Sequence, residues 1–342
     1  MENNITISPI SISFITTNKC SAACKNCCYG CSSQKKDRLT LKDMKNYIEQ
    51  SLETYPTVKL LVLTGGECFT LGKDLNDIVK YGTEKGLKVR VVTNAYWANS
   101  FKKAYLRLKG LVDVGLSEIN ISTGDDHQEW VPYDNIVYAI MSSLKQNIAT
   151  AVNIETNSIS EFNSKKLKED SRLKEYFEKY EDKLLIVDSI WMPFKTSTNN
   201  KIKDSLENKE NVSSLCLKNR CTNLFGTITI NPFHKMIACC GLTAEYTAYL
   251  DLGSTKKYPI KQLYEHQFDD FMKIWLYTEG PKRILNFIHE KLNTEPIDTS
   301  NWHLCQICAE IFQKEQHIEI LRKYSSQVFT NVMLKYSLLM QC

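Results

Sequence analysis

Cys20-Ser21-Ala22-Ala23-Cys24-Lys25-Asn26-Cys27, continued by Cys28-Tyr29-Gly30-Cys31, places five cysteines in twelve residues directly after a short β-rich run, Ser11–Thr17. The spacing Cys-x3-Cys-x2-Cys in a loop lets three thiolates converge on three irons of one cubane. An iron–sulfur cluster normally takes four cysteines, so a three-cysteine loop leaves one iron open to a small molecule. Zinc is the rival reading, although structural zinc more often uses two separated Cys-x2-Cys pairs. Inert buried thiols are a third, and five in so short a span are hard to pack without a purpose.

Working outward, the chain of 342 residues is long enough for one large domain or a main domain with an accessory one. Its 43% hydrophobic and 24% charged residues exclude a disordered or collagenous chain. A net charge of +4 is too small to argue for nucleic acid or an anionic membrane as partner. No apolar run approaches the ~18–20 residues of a membrane span. The opening Met-Glu-Asn-Asn-Ile-Thr lacks the basic and apolar regions of a signal peptide. A cytoplasmic protein is therefore expected, where disulfide frameworks are not sustained, and its 13 cysteines point instead to metal or redox chemistry. They are grouped: Cys20–Cys31, then four between Cys216 and Cys240, then Cys305 and Cys308, with only Cys68 and Cys342 apart.

Strand-like runs at Ser11–Thr17, Val58–Leu63, Lys88–Thr93, Gly115–Ser122, Thr150–Glu155 and Leu184–Trp191 alternate with amphipathic stretches at Thr40–Tyr55, Asp74–Lys85, Ser100–Lys109, Asp134–Gln146 and Ser160–Tyr180. Such β-then-α units predict parallel strands with right-handed crossovers. Six strands do not close an eight-fold barrel, so the expected α/β fold is an open, partial (β/α)6 barrel with its chemistry at the C-terminal strand ends. This barrel would span residues 1–194, followed by a polar linker, 195–215, and a C-terminal part, 216–342. In that part Gly226–Ile230, the turn Asn231–His234 and Lys235–Cys239 read as a β-hairpin. Helices are expected over Ile260–Tyr277, Pro281–Leu292 and Ala309–Lys323, with Cys305 and Cys308 in a loop.

A second motif sits where the barrel reading puts chemistry. Leu60-Leu61-Val62-Leu63-Thr64-Gly65-Gly66-Glu67 ends the second strand, Val91-Val92-Thr93-Asn94-Ala95-Tyr96-Trp97 the third, and Ile121-Ser122-Thr123-Gly124-Asp125-Asp126-His127 the fourth. With the cysteine loop, these resemble the radical S-adenosylmethionine (SAM) superfamily. The resemblance implies a [4Fe-4S] cluster on Cys20, Cys24 and Cys27 whose open iron binds SAM. It implies that Gly65, Gly66 and Glu67 contact the SAM amino group, with Glu67 accepting from the ammonium, and that Asn94 lies beside the sulfonium. Ser122 and Asp125 would hold the ribose, and Asn153 the SAM carboxylate. Two positions depart from the family's habit: Ala95 stands where Gly is usual, and Gly124 where Asp is. On the residues alone, Asp125 and Asp126 are as well suited to capping the next helix, and His127 to packing.

Cys216, Cys221, Cys239, Cys240, Cys305 and Cys308 can enclose a second cluster, with Cys221, Cys239, Cys305 and Cys308 as ligands and Cys216 as the alternative to Cys221; zinc remains open here too. The layout resembles the shortened twitch or SPASM-like auxiliary domain of radical SAM enzymes that modify ribosomally made peptides, and is most similar to the epipeptide-type peptide epimerases. That resemblance implies a precursor peptide as substrate, an auxiliary [4Fe-4S] cluster, an electron donor such as flavodoxin or ferredoxin, and consumption of SAM. Adjacent residues of one strand point to opposite faces. If Cys239 faces the cluster, Cys240 faces away and can return a hydrogen atom to a peptide radical, converting an L-residue to a D-residue. Two other readings stand beside it: a maturase forming thioether or carbon–carbon crosslinks, and a zinc-organised binding module. About ten residues precede the first strand, so the barrel mouth and C-terminal part are expected to recognise the substrate.

Overall fold

A computed structural model describes residues 6–156, 159–190, 220–300 and 302–340. Six parallel strands, β1 (Ser11–Ile15), β2 (Leu60–Thr64), β3 (Lys88–Thr93), β4 (Leu116–Gly124), β5 (Ala149–Thr156) and β6 (Leu184–Ile190), stand side by side in chain order. The crossovers carry α1 (Leu41–Thr54), α2 (Lys73–Glu84), α3 (Phe101–Val112), α4 (Asp125–Gln128), α5 (Tyr133–Lys145), α6 (Ser164–Lys168) and α7 (Lys174–Lys179). Side chains that alternate along each strand separate into two faces. Ile12, Phe14, Leu61, Leu63, Val89, Val91, Ile119, Ile121, Val152 and Ile154 are fully buried against the helix layer; Leu61 and Val89, for example, close on Gly82 of α2. The opposite face, in register across the strands, presents Ser11 and Ser13, Arg90, Glu118, Asn120 and Ser122, and Asn153. The same face also carries Leu60, Val62, Val92 and Val187, so the lumen of this open barrel mixes polar and apolar side chains while its outer wall is apolar.

The C-terminal hairpin does not form a sheet of its own. β7 (Thr227–Ile230) pairs in parallel with β1, and β8 (Lys235–Ile237) and β9 (Asp251–Ser254) follow in antiparallel, so one nine-stranded sheet runs β6-β5-β4-β3-β2-β1-β7-β8-β9. The hairpin turn is held by Asn231, whose Oδ1 accepts from the N–H groups of Phe233 and Lys235, both at 3.0 Å. His234 closes it at φ 58, and its Nδ1 lies 2.9 Å from the Tyr47 hydroxyl of α1. Helices α8 (Ile260–His266), α9 (Phe271–Leu292), α10 (Leu304–Phe312), α11 (Glu315–Tyr324) and α12 (Ser326–Leu339) complete the chain.

The expected elements differ from the observed ones in several places, among them the helix over Ala309–Lys323, which is divided between α10 and α11 at Gln313–Lys314. The single helix over Ser160–Tyr180 is two, α6 and α7, because Asp170 turns its carboxylate onto the N–H and guanidinium of Arg172 and interrupts the run. The helix over Ile260–Tyr277 breaks at Asp270, which caps α9 by accepting from the Met272 and Lys273 N–H groups. Cys305 and Cys308 lie on α10, not in a loop. Residues 195–215, Trp191 and Cys216 fall outside the described residues.

Candidate functional site

The cysteine loop leaves the C-terminal end of β1 and is clamped from three sides. From β2 comes the Gly-Gly-Glu turn: the Gly66 N–H donates to the Thr17 carbonyl at 2.6 Å and the Glu67 N–H to the Lys19 carbonyl at 2.9 Å. The approach is so close that a Cβ at Gly65 would lie 2.5 Å from the Thr17 oxygen, and one at Gly66 2.4 Å from the Lys19 oxygen. Only glycine fits either position, and Gly65 also has φ 136. From β3, the Asn94 amide donates to Ser21 Oγ at 3.1 Å and to Cys20 Sγ at 3.5 Å. From α4, Asp126 Oδ2 accepts from the Asn26 N–H and its side-chain amide. Within the loop, N–H groups of Ala22 and Cys31 donate to the sulfurs of Cys20 and Cys27, each at 3.4 Å.

Those contacts fit an iron–sulfur cluster, whose thiolates are normally held by N–H donors to sulfur. Burial pushes the Cys20 thiol up to about 12, while hydrogen bonding from the Cys31 thiol pulls Cys27 down to about 6. Cys31 is thereby a supporting residue that spacing alone did not reveal. Among the described residues no three His, Cys, Asp or Glu side chains converge closely enough to hold one metal ion. A tetrahedral zinc needs sulfurs about 2.3 Å from a common centre, whereas a cubane spreads its ligands over separate irons.

The residues expected to meet SAM have these partners within the chain. Glu67 is fully buried, and its carboxylate accepts from the Phe69 N–H (3.0 Å), the Asn94 N–H (2.7 Å) and the Thr93 hydroxyl (2.9 and 3.0 Å). It fastens the β2 turn to the end of β3. Asn94 holds the cysteine loop. Asp125 accepts from the N–H groups of Glu161 (2.7 Å) and Phe162 (3.0 Å), pinning the segment after β5. Ser122 and Asn153 do meet as register partners on the lumen face at the C-terminal ends of β4 and β5. Ala95, where glycine is usual, is held at φ 61, which explains the family's preference in terms of backbone conformation. Next to this row His127 Nδ1 and Glu155 Oε1 lie 2.7 Å apart. Burial opposes charge on His127, but Glu155 outweighs it and holds the imidazole above its ordinary pKa.

A second centre lies behind the hairpin. Cys221, Cys239, Cys305 and Cys308 all line one cavity of about 180 Å3, walled by apolar groups that include Leu224, Leu250 and Leu276. Cys305 and Cys308 share a face of the first turns of α10 at i, i+3 spacing, and His303 caps that helix by accepting from the Cys305 N–H at 3.1 Å. Gly241 packs closely between the thiols: a Cβ there would stand 3.1 Å from Cys305 Sγ and 3.3 Å from Cys239 Sγ, tight enough that the sulfurs would have to give. The four thiols around one cavity fit a cluster. Cys240 is not part of the cavity wall. It lies beyond β8, which ends at Ile237, so the strand-alternation argument does not apply to the pair; the divergence arises in the turn, where Cys239 is buried and Cys240 exposed. Cys240 is exposed; the charge of Arg90 of β3 acts on its thiol, and the thiol in turn acts on Cys221 and Cys305.

No protein-family model matches the chain. It is 20% identical over 325 residues to YydG of Bacillus subtilis (strain 168), a protein whose name assigns it provisionally to peptide biosynthesis; the match covers 93% of this chain and 97% of that one. Among solved structures, anSMEcpe with bound AdoMet superposes at a TM-score of 0.56 with 12% identity, covering 96% of this chain and 100% of that one. The same enzyme with AdoMet and the Cp18Cys peptide gives a TM-score of 0.54 at 12% identity, with 97% and 99% covered. BtrN in complex with AdoMet and 2-DOIA gives 0.50 at 11% identity, with 81% and 91% covered. At these identities the structural likeness is one of fold.

Proposed function

We propose that the chain is a radical SAM peptide epimerase acting in a reducing compartment such as the cytoplasm; its cysteine loop, the fold it shares with anSMEcpe and its similarity to YydG support the reading. Cys20, Cys24 and Cys27 would hold the SAM-binding [4Fe-4S] cluster, and Cys221, Cys239, Cys305 and Cys308 an auxiliary one. The Gly65-Gly66 turn, Ser122 and Asn153 would meet SAM. When bound and reduced by one electron, from a donor of the flavodoxin or ferredoxin class, these groups supply methionine and a 5′-deoxyadenosyl radical that can take a hydrogen atom from a peptide Cα.

The rest falls to the chain. The lumen offers Ser, Thr and Asn side chains to the amides of a peptide, and the Cys240 thiol closes the cycle. Its S–H bond breaks as a new Cα–H bond forms on the opposite face of the planar radical, leaving a D-residue and a thiyl. One electron and one proton restore the thiol, so the peptide is neither oxidised nor reduced overall. The observation that carries this reading is the divergence of the cysteine pair, with Cys239 buried in the wall of the thiol cavity and Cys240 exposed and outside that wall.

The test is an anaerobic incubation in D2O of the iron- and sulfide-reconstituted enzyme with SAM, reductant and the small-peptide fraction of the source cells. Acid hydrolysis and chiral chromatography should yield D-residues carrying deuterium at Cα with no other mass change. Loss of two hydrogens with no deuterium would replace epimerisation by crosslinking. Zinc in place of iron, with SAM left intact, would replace both by a binding module.

A further inference from the structure

Three carboxylates crowd the C-terminal ends of β4 and β5, and two of them are tied to N–H groups of neighbouring segments. Asp125 accepts from the Glu161 N–H on Oδ2 and from the Phe162 N–H on Oδ1. Asp126 Oδ2 accepts from Asn26 of the cysteine loop. Glu155, the third, is only 6% exposed. The register Gly124↔Glu155 places it two residues beyond Ser122↔Asn153, on the same lumen face. Its Oε1 lies 2.7 Å from His127 Nδ1 and accepts from the His127 N–H at 3.1 Å. Both contacts that it makes with other described residues fall on this one oxygen, which leaves Oε2 to accept from a ligand.

Gly124 makes room for this side chain. A Cβ at position 124 would lie 2.2 Å from the Glu155 Cδ and 2.5 Å from its Oε1, so a side chain on β4 and the carboxylate from β5 compete for one place. Gly124 also sits at φ 142, a backbone region that L side chains rarely adopt. A buried carboxylate costs free energy unless it is well partnered, so an acid kept at this point argues for a partner on the lumen side. The neighbourhood says which. Ser122 and Asn153 flank the acid, and Asp126, beside His127, grips Asn26 between Cys24 and Cys27. With one oxygen already held by an imidazole, the carboxylate suits neutral O–H donors better than a second cation, and such donors bind a charged acceptor strongly. SAM carries a pair of them, the 2′ and 3′ hydroxyls of its ribose.

Resting on the radical SAM reading above, we propose that Glu155 is a SAM-binding residue: its Oε2 accepts from the ribose hydroxyls, His127 fixes the carboxylate through Oε1, and Gly124 leaves the space that the carboxylate fills. The sugar is then read from two strands, by Ser122 on β4 and by an acid reaching in from β5. His127 touches no ligand in this arrangement. It is a positioning residue that acts through Glu155.

Equilibrium dialysis of SAM against reconstituted holoenzyme, with its clusters oxidised and no reductant present, measures binding without cleavage. Wild type should prefer SAM to the 2′,3′-dideoxy analogue of SAM. Glu155→Gln should lose about tenfold in affinity for SAM yet stay within about twofold of wild type on the analogue, as the loss of a charge-assisted hydrogen bond to the sugar requires. His127→Ala should show the same pattern in smaller measure. Unchanged SAM affinity in Glu155→Gln overturns the proposal. So does a parallel loss on both ligands in either variant, because a mere support of the β4 turn would act on both alike. Asp125→Asn is the comparison: if it discriminates between the two ligands and Glu155→Gln does not, the acid on the sugar is Asp125 and the proposal is wrong. Should Glu155→Gln fail to fold or to retain its iron, Glu155→Asp, which keeps the charge but draws it back by one methylene, is measured against the same criteria. Wild-type holoenzyme that binds no SAM brings down the radical SAM reading itself. Wild type that binds SAM, with Glu155→Gln matching it, brings down only the role of Glu155.

Discussion

Asp126 Oδ2 accepts two hydrogen bonds from Asn26, one from its main-chain N–H at 3.2 Å and one from its side-chain amide at 3.0 Å, across a hundred residues of sequence. Asn26 precedes Cys27, so the carboxylate holds the last third of the cysteine loop to the C-terminal end of β4. Hydrogen bonds to a charged acceptor are worth about 1.5–3 kcal/mol each. Asp126→Ala should therefore shorten the lifetime of the first cluster against a chelator by about tenfold or more. Asp126→Asn, which retains an acceptor oxygen, should fall between. Loss of absorbance near the cluster bands under anaerobic chelation checks both; equal lifetimes in all three proteins would show the contact to be ornamental.

Glu67 is expected to be intolerant of its amide. Its two oxygens face the Phe69 N–H on one side and the Asn94 N–H on the other, so a glutamine must turn its NH2 group onto a donor. The cost of such a buried mismatch is about 1–3 kcal/mol. Glu67→Gln should lower the Tm of the apo-protein by several degrees and weaken cluster assembly, because the same turn supports Thr17 and Lys19. If Glu67 instead served only a ligand, the apo-protein would melt like wild type.

Much of this was legible in the residues and some was not, for definite reasons. The barrel strands announce themselves because the helix-facing wall needs unbroken Ile, Leu and Val, as at Ile119 and Ile121, and the cysteine loop because thiols so spaced have few other uses. Roles that depend on a partner far away in sequence were invisible. Asp125 and Asp126 are adjacent and chemically identical, yet one reaches Phe162 and the other Asn26, and nothing local tells them apart. The helix carrying Cys305 was misread for a different reason. Leu304, Ile307, Cys308, Ile311 and Phe312 follow the helical period, but the Cys-x2-Cys pair inside them reads as a knuckle.

Gly66 and Gly86 give a controlled contrast. A Cβ at Gly66 would meet the Lys19 backbone oxygen at 2.4 Å, whereas at Gly86 it meets nothing within 4 Å, although Gly86 sits at φ +81. Gly86→Ala should therefore cost only the left-handed backbone penalty of about 1–2 kcal/mol. Gly66→Ala must push the cysteine loop off the β2 turn and should fail to assemble the first cluster even where the protein remains soluble. Iron content and thermal melting of the two variants, measured together, distinguish a steric clash from a general intolerance of alanine for glycine.

Acid sensitivity has an identifiable contributor in Asp170. Hydrogen bonding from Arg172 comes first, helped by the Tyr133 hydroxyl at 2.9 Å, and holds the carboxyl down at about 2. A depressed folded-state pKa means that the ionised form stabilises the fold at all pH above the unfolded value of about 3.9 and that this part is lost as pH falls through about 2. The melting temperature should decline over that interval, and Asp170→Asn should flatten that portion of the curve while lowering Tm at neutral pH. A variant whose Tm falls with acid in parallel with wild type would exclude Asp170 as the source.

The adjacent cysteines of the hairpin exit should separate cleanly by iron analysis. Cys239 shares a cavity wall with Cys221, Cys305 and Cys308, and Cys240 does not. With two four-iron clusters in the reconstituted protein, Cys239→Ala should lose about half of the iron, and Cys240→Ala almost none. Cys240→Ala should also keep cleaving SAM, since the first cluster and its turn are untouched, yet form no deuterated D-residue. The two losses come from different physics: one removes a ligand from a closed donor set, the other a hydrogen from a thiol that binds no metal. If Cys240→Ala sheds iron and Cys239→Ala keeps it, the turn after β8 carries the pair in the opposite sense, and the donor thiol is Cys239.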